Sequence, residues 1–188
     1  FVAEVGPLAN QEHRRLAGGP KNLKVTYLSA LGQKEPLGPE DLEFQSLTGR
    51  LSAALKRERA REIASGMSLV GPQRDDLQFT VDGVEMTAYG SRGEQRTIAL
   101  ALKLAEVSFF RYQTGDRPVL LLDDVLSELD PARRAHLLAF LPPEQQAFVT
   151  ATDLSGCPDD FLRQAYIFDV REGQIEMNSK RQPPTGLR

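Results

Sequence analysis

The run Val119-Leu120-Leu121-Leu122-Asp123-Asp124 decides the fold class of this chain. Four apolar residues followed by two acids are typical of a short, buried strand of a parallel sheet. A helical pattern precedes the run, another follows it, and residues 147–150 form a second apolar strand. The sequence therefore predicts a β-α-β unit with a right-handed parallel crossover, in an α/β fold. We expect its mostly parallel sheet to be flanked by helices on both faces.

The segments before this unit alternate between helix and strand patterns. Residues 1–19 predict the end of a helix that stops at Gly18-Gly19-Pro20, and residues 21–29 alternate as a short strand. Gly38-Pro39-Glu40-Asp41 is typical of a helix start, and Gly66 ends the long helix that follows. The apolar stripe of this helix, which we expect to face the core, consists of Phe44, Leu47, Leu51 and Leu55.

Two hairpins and one buried helix complete the pattern. Asp82-Gly83 is a strong turn signal between two short strands. Residues 91–113 are apolar nearly all round, which predicts a buried helix. Residues 166–177 predict a second hairpin, and the polar, proline-containing residues 178–188 predict a loose tail.

Composition limits the classes of function. The 188 residues are 40% hydrophobic, enough for a core, and no apolar run approaches the 18 residues of a membrane span. The 23 basic residues are outnumbered by 26 acidic ones, so DNA binding through bulk charge is not indicated and needs a local patch or a partner. A single cysteine, Cys157, excludes an internal disulfide and favours a reducing, cytoplasmic setting.

The start of the buried helix is a candidate anion site. Tyr89-Gly90-Ser91-Arg92-Gly93-Glu94-Gln95 offers a hydroxyl, a glycine that allows close backbone approach, and the free amides of a helix N-terminus. Ser91 and Glu94 also fit a capping box, which is the commoner explanation of such a pair.

Asp123 and Asp124 form the second candidate site. They close a buried strand at its carboxyl end, where α/β sheets bind ligands. One carboxylate can hold Mg²⁺, and its neighbour can orient the water that attacks a γ-phosphate. The alternative is that both acids merely begin a loop, which is a costly use of two uncompensated charges next to so apolar a strand.

The order of these motifs resembles the ATP-binding-cassette family of ATPases. Ser91-Arg92-Gly93-Glu94-Gln95 is similar to the signature motif, Asp123-Asp124 to the Walker B pair, and Ser127-Glu128-Leu129-Asp130 to the D-loop. Residues 149–153 resemble the switch-loop strand. Gly71-Pro72-Gln73-Arg74-Asp75-Asp76-Leu77 and residues 89–106 more closely resemble the RecF family of bacterial DNA-repair proteins.

The resemblance implies ATP and Mg²⁺ as cofactors of a homodimer in which two heads enclose two ATP molecules. Asp123 is then expected to order Mg²⁺ and Asp124 to polarise the attacking water. The residues expected to reach the γ-phosphate of the opposite subunit's ATP are Ser91, Gly93 and Gln95. Ser127 and Asp130 are expected to couple the two sites, and Thr152 to sense the γ-phosphate.

The resemblance also implies a function in DNA repair. The intact protein is expected to be a slow DNA-dependent ATPase of recombinational and replication-gap repair that helps to load the RecA recombinase. Its implied partners are single-stranded or gapped DNA and mediators of the RecR and RecO type. Candidate DNA contacts are Arg50, Arg57 and Arg61, on one face of the long helix, although a solvated face with Glu58 and Glu62 nearby is the commoner explanation.

Three departures from the family pattern modify these expectations. Asp124 stands where Glu is usual, and Thr152 where His is usual, which suggests slow hydrolysis. The phosphate-binding pattern G-x-x-x-x-G-K-[ST] does not occur in the sequence, so we expect the isolated chain to be inactive. The resemblance then implies the carboxyl-terminal portion of such a protein: residues 1–66 from a helical arm, 67–177 from the ATPase head, and 178–188 as a flexible tail.

Three alternatives remain open at this point. A transporter ATPase subunit shares the motifs but normally has Glu and His at positions 124 and 152. An SMC-like structural protein needs long heptad-repeat arms, and the sequence contains none. A pure interaction module would leave Asp123, Asp124 and the Ser91 helix start unexplained.

Overall fold

The computed structural model describes residues 1–32, 43–141 and 145–178. Within these ranges no helix is long and apolar enough to cross a membrane. The helices are α1 (Val2–Ala17), α2 (Phe44–Ser65), α3 (Met86–Tyr89), α4 (Arg92–Thr114), α5 (Pro131–Ala139) and α6 (Asp159–Gln164). The strands are β1 (Leu23–Leu28), β2 (Asp76–Val81), β3 (Val84–Glu85), β4 (Leu120–Leu122), β5 (Ala147–Val149), β6 (Phe168–Arg171) and β7 (Gln174–Met177).

The chain divides into two compact units. The first contains Phe1–Arg14 and Gly18–Phe109, and the second contains Arg15–Ala17 and Phe110–Arg188. The division at Gly66 between a helical arm and an ATPase head stays a prediction. The predicted helix start at residues 38–41 and the predicted tail, apart from Asn178, lie outside the described residues.

An antiparallel sheet in the order β1-β2-β3 forms the centre of the first unit. Strands β1 and β2 pair from Leu23 opposite Val81 to Leu28 opposite Asp76. The turn between β2 and β3 has positive φ at both Asp82 (50°) and Gly83 (84°), as the Asp-Gly signal predicted. Buried side chains from α1, α3, α4 and this sheet pack into one core: Val5, Ala9, Leu23, Val81, Met86, Ile98 and Ala105. The burial of each of the larger ones contributes about 1.5–3 kcal/mol.

The second unit contains the predicted β-α-β unit. Strand β4 pairs in parallel with β5, from Leu120 opposite Ala147 to Leu122 opposite Val149, and α5 lies between them in the chain. Leu120 and Leu122 are buried, whereas Leu121 is 75% exposed and Phe148 58% exposed. The expectation that this sheet is covered on both faces is therefore wrong for the described residues, since nothing among them packs over Leu121 and Phe148. Strands β6 and β7 form the second predicted hairpin.

The long helix α2 also departs from its predicted environment. Phe44, at its first position, is 83% exposed and Leu55 is 40% exposed, and Ala54 is its buried residue. The predicted core-facing stripe is therefore wrong at Phe44 and Leu55, which the described part of the chain does not bury. Near the end of the helix, Glu62 accepts hydrogen bonds from the amides of Leu69 (2.7 Å) and Val70 (3.3 Å), which lie beyond it. That carboxylate ties the next loop back to α2.

Candidate functional site

A single hydroxyl connects the two acids at the end of β4. Thr150 directly follows β5, and its amide donates to the carbonyl of Leu122 (3.0 Å), which extends the parallel pairing by one residue. Its Oγ1 donates to Oδ1 of Asp123 (2.6 Å) and accepts from the amide of Asp124 (2.9 Å). Thr150 thus fixes the Asp123 carboxylate relative to the backbone of Asp124.

Asp124 occupies a left-handed backbone conformation, with φ 52° and ψ 17°. Its amide is held by Thr150, and its carbonyl accepts a hydrogen bond from Ser127 Oγ at 2.8 Å. Asp adopts this conformation several-fold more often than most residues with side chains. The backbone therefore gives a physical reason for Asp at a position where the ATP-binding-cassette pattern usually has Glu. The Asp124 carboxylate is exposed and makes no hydrogen bond with any described residue, so it is accessible to a ligand or water.

The D-loop comprises residues 127–130, and its carboxyl-terminal end is fixed by a helix cap. Asp130 Oδ1 accepts from the amide of Arg133 (3.0 Å), and Oδ2 pairs with Arg133 Nη1 (2.9 Å). The hydrogen bond from that amide is the main reason why the pKa of Asp130 is lowered. Asp130 thus anchors the start of α5.

Thr152 lies in the loop after β5, its side chain exposed, and its hydroxyl makes no hydrogen bond within the described ranges. Next to it, Asp153 accepts hydrogen bonds from the hydroxyl and the amide (2.6 Å) of Ser155. The hydroxyl bond is the largest cause of the lowered pKa of Asp153.

The predicted capping box at the start of α4 is formed. Ser91 Oγ donates to Glu94 Oε2 (2.8 Å) and accepts from the Glu94 amide (3.3 Å), while the Ser91 amide donates to Glu94 Oε2 (3.0 Å). Lys21 Nζ binds the other carboxylate oxygen at 3.3 Å. The Ser91 amide, followed by its hydroxyl and by Lys21, lowers the pKa of Glu94 to about 2.

The other two signature residues are accessible to different degrees. Gly93 is exposed, and an added Cβ there would meet nothing within 4 Å. Gln95 donates through Nε2 to the carbonyls of Met86 (3.0 Å) and Thr87 (3.2 Å), which fixes its amide against α3. The backbone at Gly93 is therefore open to a ligand, whereas the Ser91 hydroxyl and the Gln95 amide already have partners inside the first unit.

The basic face of α2 contains an ion-pair network. Arg57 Nε and Arg61 Nη1 both contact the Glu58 carboxylate, at 3.0 and 2.9 Å. The hydrogen bond from Arg57 is the largest cause of the lowered pKa of Glu58. Two of the three candidate DNA-binding side chains are thus paired within the helix, and their role, with that of Arg50, stays a prediction.

The acids at the end of β4 fit only one kind of metal site. Among the described residues no group of three or more His, Cys, Asp or Glu side chains is placed to hold a metal ion. Within that part of the chain, Asp123 and Asp124 therefore have no third ligand of these types. One or two carboxylates do suit Mg²⁺, which keeps several waters and takes its remaining ligands from substrate phosphates.

Sequence reasoning missed the role of Thr150. In the sequence, Thr150 is a hydroxyl residue that directly follows an apolar strand. That strand, β5, pairs in parallel with β4, which Asp123 directly follows. That signal becomes specific only once the register of β4 and β5 is known.

Known proteins resemble this chain in sequence and in structure. No protein-family model matches the chain. The DNA replication and repair protein RecF of Chloroflexus aurantiacus is 45% identical over 177 residues, and that of Chloroflexus aggregans 47%. RecF of Bacillus subtilis is 39% identical over 175 residues. Each of these matches covers 93% of this chain and 43–46% of the relative, so the chain spans less than half the length of the curated relatives it matches.

Two solved structures share the fold. One, of the recombination mediator protein RecF-ATPrS in the RecFOR pathway, superimposes with a TM-score of 0.74 at 28% identity. The other, of RecF-ATP in the same pathway, gives 0.69 at 30% identity. Each match covers 95% of this chain and 44% of the solved chain. The predicted α/β fold of an ATP-binding-cassette-type head is thereby confirmed, and the chain belongs to the RecF family of DNA replication and repair proteins.

Proposed function

We propose that the full-length protein is an ATP-dependent DNA-binding protein of recombinational and replication-gap repair. It dimerises on ATP, helps to load the RecA recombinase, and acts in the cytoplasm with mediators of the RecR and RecO type. The observation that carries this proposal is the pair Asp123 and Asp124, which Thr150 orients at the carboxyl end of a parallel strand. The relatives named above add support, because two of them are described with ATP or an ATP analogue.

The residues of this site suit phosphoryl transfer to water. When bound, Mg²⁺ would supply charge stabilisation for the phosphate oxygens, and Asp123 is the carboxylate that would hold it. Asp124 has its backbone fixed at both ends and its carboxylate exposed, so it can orient the attacking water. Thr152 offers a hydroxyl that senses the γ-phosphate without changing charge, consistent with a slow ATPase. The isolated chain, without a phosphate-binding loop in its sequence, is expected to be inactive.

The signature residues Ser91, Gly93 and Gln95 are proposed to act across the dimer, on the ATP held by the partner. The Ser91 hydroxyl has one proton, which it now donates to Glu94, so donation to a γ-phosphate requires it to leave that carboxylate. Ser127 and Asp130 then transmit the state of one site to the other. Arg50, Arg57 and Arg61 are the candidate phosphate-backbone contacts on α2.

ATP-dependent dimerisation of the full-length protein tests this proposal. Ser91→Arg places a bulky cation at the proposed γ-phosphate contact, so we expect ATP binding to persist and the ATP-dependent dimer to be lost. Sedimentation velocity with and without ATP measures the dimer, and calorimetry measures ATP binding. Ser52→Arg adds the same charge to an exposed position of α2 and is the matched control.

The capping role of Ser91 predicts a different result. Loss of the cap alone costs about 0.5–2 kcal/mol of stability and affects the dimer only through misfolding. A Ser91→Arg protein that melts near the parent temperature, binds ATP and still dimerises on ATP would refute the signature assignment.

A further inference from the structure

Arg134 of α5 binds two loops that are distant in sequence. Its Nη1 donates to the carbonyl of Ser155, and its Nη2 donates to the carbonyl of Leu129 at 3.4 Å. Leu129 belongs to the D-loop, and Ser155 to the loop of residues 151–157, here called the switch loop. The Nε of Arg134 is buried without a hydrogen-bond partner in the described part of the chain, so the guanidinium is held by these two carbonyls.

The switch loop is shaped to admit this guanidinium. Gly156 has φ +77°, and a Cβ built on it would lie 2.6 Å from Arg134 Nη1. A side chain at this position would therefore displace the Arg134 guanidinium from the Ser155 carbonyl. The charge of Arg134 also contributes to the lowered pKa of Asp153, another residue of this loop, after the larger effect of Ser155.

We propose that Arg134 is a positioning residue that couples the switch loop to the D-loop. The N–H groups of the planar guanidinium point in fixed directions relative to one another. A displacement of the Ser155 carbonyl therefore rotates the guanidinium, which moves or releases the Leu129 carbonyl. This inference rests on the proposed function, in which Thr152 senses nucleotide on the switch loop and Ser127 and Asp130 signal through the D-loop. Arg134 then carries the state of the sensor to the signalling loop within one subunit.

Amide hydrogen exchange of the full-length protein without nucleotide tests the coupling. Gly156→Ala pushes on the guanidinium and leaves Arg134 in place. We expect the amide of Leu129, bonded to the Leu126 carbonyl at 3.4 Å, to exchange at least about fivefold faster in this variant. The matched control is Gly115→Ala, since Gly115 has nearly the same φ, +75°, but nothing within 4 Å of an added Cβ. We expect this control to leave the exchange of Leu129 unchanged.

A second variant separates coupling from general loss of structure. Arg134→Met keeps the length of the side chain and removes its donors, so it is expected to speed exchange at Leu129 as Gly156→Ala does. The amide of Leu138, whose side chain is buried in α5, reports on opening of the whole unit and is expected to stay protected. Arg163→Met, at an exposed arginine of α6, controls for the loss of charge.

The outcomes distinguish the two proposals. Faster exchange confined to residues 151–157 in Gly156→Ala, with Leu129 unaffected, would overturn the coupling. Equal acceleration at Leu129 and Leu138 would overturn it as well, because Arg134 would then serve stability alone. Absence of ATP-dependent dimerisation in the parent protein would overturn the proposed function, a result that the nucleotide-free exchange data do not depend on.

Discussion

Replacing Thr150 with Val removes one hydroxyl from the centre of the candidate site while nearly preserving the shape of the side chain. Two hydrogen bonds are lost: one to the Asp123 carboxylate at 2.6 Å and one from the Asp124 amide at 2.9 Å. Bonds to charged groups contribute about 1.5–3 kcal/mol and neutral ones about 0.5–1.5 kcal/mol. Because Thr150 and both acids are exposed, water replaces part of this, and we expect a net loss of about 1.5 kcal/mol.

That loss is measurable in stability and in turnover. At roughly 2–4 °C per kcal/mol for a domain of this size, the melting temperature should fall by about 3–6 °C. If the same free energy is lost from the orientation of the two carboxylates, ATP turnover by the full-length protein falls about tenfold. The Mg²⁺ concentration for half-maximal rate should rise as well, since the Asp123 carboxylate is no longer held in place.

Thr150→Ser is the matched control for this prediction, because it retains the hydroxyl and loses only a methyl group. We expect the Ser variant to remain near the parent in turnover and in its Mg²⁺ requirement. If the Val and Ser variants have the same Mg²⁺ dependence as the parent, the hydroxyl does not position Asp123, and the reasoning is refuted even where the melting temperature falls.

Two further predictions concern acid stability and the roles of the two acids. Glu94 has its pKa lowered from 4.5 to about 2, so its stabilising effect is present above pH 4.5 and lost as the pH falls towards 2. Across that pH range, the melting temperature of Glu94→Gln should fall less steeply with decreasing pH than that of the parent protein. The same steepness in both proteins would contradict the capping-box account. In the full-length protein, Asp124→Asn keeps the left-handed turn, so we expect ATP binding to persist while turnover falls roughly 10²-fold. Asp123→Ala should weaken Mg²⁺-dependent ATP binding, measured by calorimetry with and without Mg²⁺. If Asp123→Ala and Asp124→Asn bind ATP equally well in the presence of Mg²⁺, the two acids do not have separate roles.

The parts of the fold that the sequence predicts well are those that neighbouring residues determine. Asp82-Gly83 provides the two positive φ angles of its turn whatever packs around it. Ser91 and Glu94 are three residues apart and satisfy each other across one helical turn. The apolar run that ends in Asp123 and Asp124 likewise predicts both the strand and the acids at its carboxyl end.

The parts that the sequence predicts poorly depend on contacts between distant residues. Thr150 and Asp123 are 27 positions apart, and Arg134 and Ser155 are 21 apart, so neither pair leaves a periodic pattern. Burial depends on distant partners in the same way. Phe44 and Leu121 have the apolar character of core residues, yet both are exposed, because a hydrophobic side chain is buried only where another segment covers it.

The left-handed conformation of Asp124 limits which substitutions this position tolerates. Among the twenty amino acids, Gly, Asn and Asp adopt that backbone most readily, and Asp alone of the three is negatively charged. For most other side chains the conformation costs about 1–2 kcal/mol. A saturation library selected only for folding should therefore retain all three residues at position 124. Selection for activity, which requires the carboxylate, should retain Asp alone. Comparing the residues retained at position 124 under the two selections therefore separates the requirement of the turn from the requirement for the negative charge.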